Sequence, residues 1–317
     1  MKNTINLANR KNRINRINRI NLVNLNLQRK KSWGGLIGGG LRRWDEMPPE
    51  LLLQIFCRVP IRFLFIFIVH VCKSWRSSVF DFIFPSNGIL DLKRMDTLSN
   101  GRSQRYLDFV QILLDERPKT LWHTITLPRY FILKEHAVIY IAQRSPCVRI
   151  LDVETVGQFS SVQKALPYWR HLEKFTCQIS RREISSFASE LGYYCMNISY
   201  LGLVGVIGVK QASAIVKTLP NLTCLSLEKC ALSVDALLIL DGHEKIAEVN
   251  LEHTLIVDEQ FLECFGASVF NKTWPTIYLR TTAKKWTEEI CKKVSGAKKY
   301  FRCREKLCPE CSWAYSL

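Results

Sequence analysis

Six times between residues 122 and 251 an apolar residue is followed by others three and five positions on. The sets are Trp122/Ile125/Leu127, Val148/Leu151/Val153, Leu172/Phe175/Cys177, Ile198/Leu201/Leu203, Leu222/Leu225/Leu227 and Ile246/Val249/Leu251. Their first members step by 26, 24, 26, 24 and 24 residues. Residues i+3 and i+5 share one face of a strand, because strand side chains alternate. A weaker seventh set begins at Trp274 with Ile277 and Leu279. Between the strand-like cores, Ile184, Phe187, Ala188 and Leu191 fall at helical spacing, as do Ala212, Ile215, Val216 and Leu219. Each unit is therefore one short strand and one helix. Neither buries its apolar face alone, so neighbouring units must stack into a solenoid. A doubly wound α/β protein also alternates strands and helices, but it rarely holds so constant a step.

The formal charge of +17 suggests a nucleic-acid binder until it is mapped. Residues 1–44 carry 11 Lys/Arg and no acid, residues 45–280 carry 25 basic and 24 acidic residues, and residues 281–317 carry 9 against 4. The basicity sits in the two ends, and those ends lack interleaved stacking aromatics, so nucleic acid is not the expected partner. The amino end is low in complexity, with the triplets Asn12-Arg13-Ile14, Asn15-Arg16-Ile17 and Asn18-Arg19-Ile20. It reads as a disordered basic arm, with a mitochondrial-type presequence or a nuclear import signal as alternatives. Glycine runs around Gly34-Gly35 and Gly38-Gly39-Gly40 then make a linker. Nine of the twelve cysteines are spread singly from Cys57 to Cys291, a pattern of reduced buried thiols rather than a disulfide scaffold. The run Phe63–Val69 is far shorter than the ~20 residues that span a bilayer. No membrane partner is expected, and the location expected is nucleus, cytoplasm or both.

Residues 44–76 form a second pattern. Trp44-Asp45-Glu46-Met47-Pro48-Pro49-Glu50 has the acids and prolines of a helix start. Leu51, Leu52, Ile55, Phe56 and Val59 follow at helical spacing until Pro60. A second apolar segment, Phe63 to Val71, leads into Val71-Cys72-Lys73-Ser74-Trp75-Arg76. So short a hairpin cannot hide this apolar surface on itself, which implies a protein partner.

In the order and spacing of these pieces the segment resembles the F-box family. The resemblance implies a small helical module that binds the Skp-type adaptor of an SCF ubiquitin ligase, and through it cullin. The residues it assigns to that contact are Met47, Pro48, Leu51, Leu52, Ile55, Val59, Val71, Cys72 and Trp75. Two features depart from the usual family pattern: Phe63–Val69 is apolar where relatives are more polar, and no tryptophan stands at residues 87–90. Stretches such as Pro220-Asn221-Leu222-Thr223-Cys224-Leu225-Ser226-Leu227 resemble the leucine-rich repeats that follow many plant F-boxes. The whole is similar to a plant F-box/leucine-rich repeat protein of α/β class, a small helical F-box followed by a leucine-rich repeat solenoid of alternating short strands and helices. The expected division is an arm and linker at 1–40, an F-box at 41–85, repeats at 86–280 and a basic, cysteine-bearing tail at 281–317.

If i+3 and i+5 point inward, the alternate positions line the concave face. They include Ile150, Asp152 and Glu154; Lys174, Thr176 and Gln178; Tyr200; Cys224, Ser226 and Glu228; and Glu248, Asn250 and Glu252. With five acids and one lysine, this face is expected to be mildly acidic and to suit a basic or neutral protein segment, with a solvated face lacking any selected partner as the alternative. In the tail, Cys303, Cys308 and Cys311 lie close together. Three readings remain open there: a structural zinc site completed from elsewhere, reduced thiols, or a redox pair. No other cofactor is expected. No GxGxxG, P-loop, HExxH or GxSxG is present, and the six histidines are scattered. The expectation is a non-enzymatic substrate receptor, which grips the adaptor with one module and an unidentified target protein with the other. Its alternative is an interaction scaffold with a degenerate F-box.

Overall fold

A computed structural model of the chain describes residues 44–84, 88–93, 104–119, 121–128, 135–153, 159–260, 262, 294, 298–301 and 303. The chain divides into two units, Met1–Met47 and Pro48–Leu317. In the first, Trp44–Glu46 forms one 3₁₀ turn, closed by the Met47 amide on the Trp44 carbonyl at 3.4 Å.

The second unit opens with three helices. Helix α1, Pro49–Phe56, starts at a proline pair, where the missing amide hydrogens cost nothing. Pro60 then starts α2, Ile61–Ile66, and a 3₁₀ turn at Ile68–His70 follows. Helix α3, Lys73–Ile83, is capped by Cys72, whose sulfur accepts from the Trp75 amide at 3.5 Å. Leu52, Phe56, Leu64, Val69, Val79 and Phe80 make the buried centre of this bundle.

The repeats follow. Strand β1, Ile89–Asp91, precedes helix α4, Gln104–Glu116, and strand β2, Thr124–Leu127, precedes α5, Glu135–Arg144. Next come β3, Ile150–Val153, with α6, Ser160–Ala165, then β4, Lys174–Gln178, with α7, Arg181–Tyr194. Strands β5, Tyr200–Val204, and β6, Val206–Ile207, lead to α8, Val209–Thr218; β7, Cys224–Ser226, and β8, Ala231–Ser233, lead to α9, Val234–Asp241. Strands β9, Glu248–Asn250, β10, Leu255–Val257, and β11, Lys299–Phe301, complete the order.

Two parallel sheets result, β1-β2-β3-β4-β5-β7-β9-β11 and β10-β8-β6. In the larger one the register aligns Leu90, Ile125, Leu151, Phe175, Leu201, Leu225 and Val249 in a single row, which is the i+3 position of each repeat. All seven are buried, as are the i and i+5 residues of the six sets. One carbonyl per repeat serves two amides of the next: His123 accepts from Arg149 and Ile150 at 2.8 and 3.0 Å, and Arg149 from Glu173 and Lys174 at 2.8 and 2.9 Å. Glu173, Ser199 and Thr223 repeat the pattern. The smaller sheet extends the repeat beyond the i+5 position. The Cys230 thiol donates to the Leu203 carbonyl at 3.0 Å, and the Thr254 hydroxyl, 24 residues on, donates to Leu227. These side chains satisfy carbonyls that the short strands leave over.

The structure extends the expected array at both ends. Strand β1 adds a unit before Trp122, paired in register with β2. Beside β9 lies β11, from the segment read as tail, whereas Trp274, Ile277 and Leu279 fall outside the described residues. The docked strand is held by the Tyr300 hydroxyl on Asp241 and by the Lys298 ammonium on the Ile246 carbonyl at 2.8 Å.

The apolar run Phe63–Val69 is split by the fold. Leu64, Phe65 and Val69 point inward. The Phe65 ring meets Phe109 of α4 edge-on at 4.2 Å, and Phe80 and Phe84 of the helical module reach the same ring at 5.4 and 6.2 Å. Around this cluster Arg76 binds Glu116 at 2.6 Å and Arg117 binds Asp81. The inner half of this apolar run is thus a packing surface that joins the helical module to the first repeat.

Phe109→Ala is expected to cost about 3–5 kcal/mol in denaturant unfolding, the range for removing a fully enclosed phenylalanine. Burial raises the Cys195 and Cys230 thiols to about 12 and pushes Cys177 well up. The folded state therefore holds these protons from pH ~9 to ~12 while the unfolded state releases them, so stability falls as pH rises through that window. At neutral pH a thiol reagent is expected to label exposed Cys57 in the native chain and Cys177, Cys195 and Cys230 only after unfolding, as peptide mapping would record.

Candidate functional site

On the helical module the sequence-assigned adaptor residues separate into surface and core. Leu51 and Ile55, one turn apart on α1, are 49% and 41% exposed, and Val71, just before α3, is 54% exposed. Pro48 is exposed, whereas Val59, Cys72 and Trp75 are half-buried. Trp75 stands edge-on to Phe56 at 5.9 Å, which fixes its indole against α1. Leu52 does not belong to this surface. It is 0% exposed and, with Phe56, faces the bundle interior, so its part is to hold α1 against its neighbours. Met47, in the preceding unit, is half-buried. The Arg76 side chain ties the start of α3 down, with Nε donating to the Val69 carbonyl at 2.8 Å.

The large apolar side chains exposed on α1 are Leu51 and Ile55, beside exposed Glu50 and Gln54, and Val71 adds a third apolar side chain. Such a surface suits a permanent or high-occupancy protein contact.

The outer face of the larger sheet is the second candidate. Along β3 and β4 burial alternates, with Leu151, Val153, Phe175 and Cys177 inside and Ile150, Asp152, Lys174, Thr176 and Gln178 outside. Tyr200 and Cys224 continue the row, with Glu248 and Asn250 beyond them. Gly202 sits where a Cβ would lie 2.3 Å from Thr176 Cγ2, so a larger residue would displace that side chain. The Lys174 ammonium rests 4.0 Å from the Tyr200 ring centroid. Burial raises the Cys224 thiol, with Glu248 adding to the shift and Lys174 opposing it.

The expected acidity of this face is largely offset. Asp152 pairs with Lys93 at 2.9 Å and also accepts from the Thr176 hydroxyl at 2.9 Å. Glu248 pairs with Lys299 at 3.1 Å, and Glu228 with Lys229 at 3.7 Å. Lys93 and Lys299 come from the two strand regions that the repeat pattern did not include. The face is therefore polar and mixed in charge; Glu252 remains at its acidic end, and Glu154 lies outside the described residues.

Nothing among the described residues forms a group of three or more His, Cys, Asp or Glu able to hold a metal ion. Cys303 is half-buried, while Cys308 and Cys311 fall outside the described residues. His243 is a capped core histidine: Nε2 donates to the Leu219 carbonyl at 3.1 Å and Nδ1 accepts from the Lys245 amide at 3.3 Å. Among the described residues no helix is long and apolar enough to cross a membrane.

Residues 44–87 match the F-box domain family. Over 236 residues the chain is 26% identical to an Arabidopsis thaliana F-box/LRR-repeat protein, covering 69% of this chain and 74% of the relative. Over 241 residues it is 27% identical to putative F-box/LRR-repeat protein 22 of the same plant, covering 72% and 71%.

The separation of surface from core has a direct consequence. Leu52→Ala is expected to destabilise the chain by about 2–5 kcal/mol. Leu51→Ala and Ile55→Ala should each stay within about 1 kcal/mol, since half of each side chain already meets water. Urea unfolding of the three variants measures this.

Proposed function

We propose, from the premise that this chain is a plant-type F-box/leucine-rich repeat protein, that it is the target-binding subunit of an SCF-type ubiquitin ligase. At family level an F-box implies an SCF-type substrate adaptor that binds a Skp-type partner. The finer reading is that Leu51, Ile55, Val71, Cys72 and Trp75, with Pro48 and Val59 at the margin, take the adaptor, Met47 being assigned to it by the sequence alone, and that the outer sheet face takes the target. The observation that carries it is the row of half-exposed apolar side chains at Leu51, Ile55 and Val71 on a bundle whose other large apolar residues are mostly packed away.

In this reading the chain performs no bond chemistry. Holding the target and the adaptor on one body raises the effective concentration of target lysines near the ubiquitin carrier, and the transfer belongs to other subunits. A mixed-charge face favours a target segment with both signs of charge, the acidic end at Glu252 meeting its basic part. The scaffold alternative drew on the apolar Phe63–Val69 run; the packing of Leu64, Phe65 and Val69 into the module and its junction supports the receptor reading instead. Zinc in the tail stays a proposal for Cys303, Cys308 and Cys311, and the proposed location is nucleus or cytoplasm.

Co-purification of the full chain with the Skp-type adaptor and cullin tests the reading. The wild type should carry both. Leu51→Ala with Val71→Ala should lower adaptor affinity by about tenfold or more, the scale of lost interface anchors. Undiminished co-purification by a folded double variant would count against this assignment of the surface.

A further inference from the structure

The outward half of the Phe63–Val69 run is not accounted for by packing. Leu64, Phe65 and Val69 turn inward, but Phe67 is 55% exposed, more than any other large apolar side chain described in the helical module. Its ring stacks on Phe63, one helical turn back, with centroids 6.0 Å apart and planes 22° apart. The pair is thus ordered as one aromatic surface.

Its position says what covers it. Phe67 ends α2, and one 3₁₀ turn leads from it to Val71: the His70 amide bonds the Phe67 carbonyl at 3.2 Å, and the Val71 amide bonds Ile68 at 3.1 Å. At about 2 Å of rise per residue, roughly 8 Å of helix separates the two exposed side chains. Val71 opens the segment proposed to take the adaptor; side chains four residues apart on such a turn point about 120° apart, so the aromatic pair borders that surface on an adjoining face. Neither Phe67 nor Val71 is flanked by an acid in the 63–72 stretch, whose charged or titratable residues are His70 and Cys72. A partner that covers both need desolvate no carboxylate.

We infer that Phe67, stacked on Phe63, is an added anchor for the Skp-type adaptor, which extends the contact beyond Val71 with an aromatic knob. Its chemistry calls for an apolar cleft on that adaptor. An outward aromatic knob also makes this chain selective among adaptors: one with an apolar cleft at that point is held, and one with a charged rim is disfavoured. The inference rests on the adaptor-binding reading above.

The test uses the full chain and the Skp-type adaptor, with affinity measured by calorimetry and folding by thermal melting. Phe67→Gln is expected to raise Kd by about tenfold with an unchanged melting temperature, as for an exposed interface anchor. Phe67→Leu should recover part of the loss. A Kd within about twofold of wild type for folded Phe67→Gln overturns the inference while wild-type binding upholds the adaptor reading; no binding by wild type overturns both. If Phe67→Gln instead abolishes self-association in sedimentation and leaves Kd unchanged, the knob serves a second copy and the inference fails. Hydroxyl-radical footprinting of the wild-type chain needs no variant: oxidation of the Phe67 peptide should drop several-fold under saturating adaptor, and unchanged oxidation overturns the inference.

Discussion

The ring of Phe109 is where two different kinds of architecture become one body. A three-helix bundle of this size has too little interior to hide its apolar faces, and a stack of strand–helix units leaves its first member uncovered. Phe65, Phe80 and Phe84 reach over Phe109 and solve both problems with a single cluster, which the Arg76–Glu116 and Arg117–Asp81 pairs border. The inner half of the apolar run is committed to the bundle and this junction. That leaves Leu51, Ile55, Phe67 and Val71 with no comparable burial and defines the surface available to a partner.

Beyond the junction the stack is regular because successive units supply the same two things, an inward apolar row and a carbonyl shared by two amides of the next unit, to which Cys230 and Thr254 add side-chain bonds to the Leu203 and Leu227 carbonyls. Parallel pairing in constant register places the outward residues of successive strands beside one another at strand spacing. The exposed row from Ile150 to Glu248 is thereby a rigid surface made of residues distant in sequence. Its character is set by outward side chains, which can vary while the inward rows and the architecture persist.

Much of this was legible in the sequence because buried rows must be apolar and evenly spaced. The i, i+3, i+5 pattern located β2, β3, β4, β5, β7 and β9, and the helical runs of α7 and α8, since full burial allows few residue types there. Strand β1 escaped because 35 residues separate Leu90 from Ile125, and a period is invisible across one irregular step. Strand β11 escaped for the same reason, at a longer separation from β9. The pairs Lys93–Asp152 and Lys299–Glu248 followed from those omissions, so the outer face looked more acidic in sequence than it is. At the helical module, Leu51 and Leu52 are chemically identical neighbours. Only the orientation of α1 against Trp75 and its neighbours decides that one meets water and the other does not.

In the proposed function the labour is divided on one body, with the helical module engaging the adaptor and the sheet face left for the target. Amide hydrogen exchange of the full chain, alone and under saturating Skp-type adaptor, tests it most directly. Exchange should slow in residues 49–56 and 67–76 and stay unchanged in β3, β4, β5, β7 and β9. Slowed exchange along those strands, with residues 49–56 unaffected, would contradict the account.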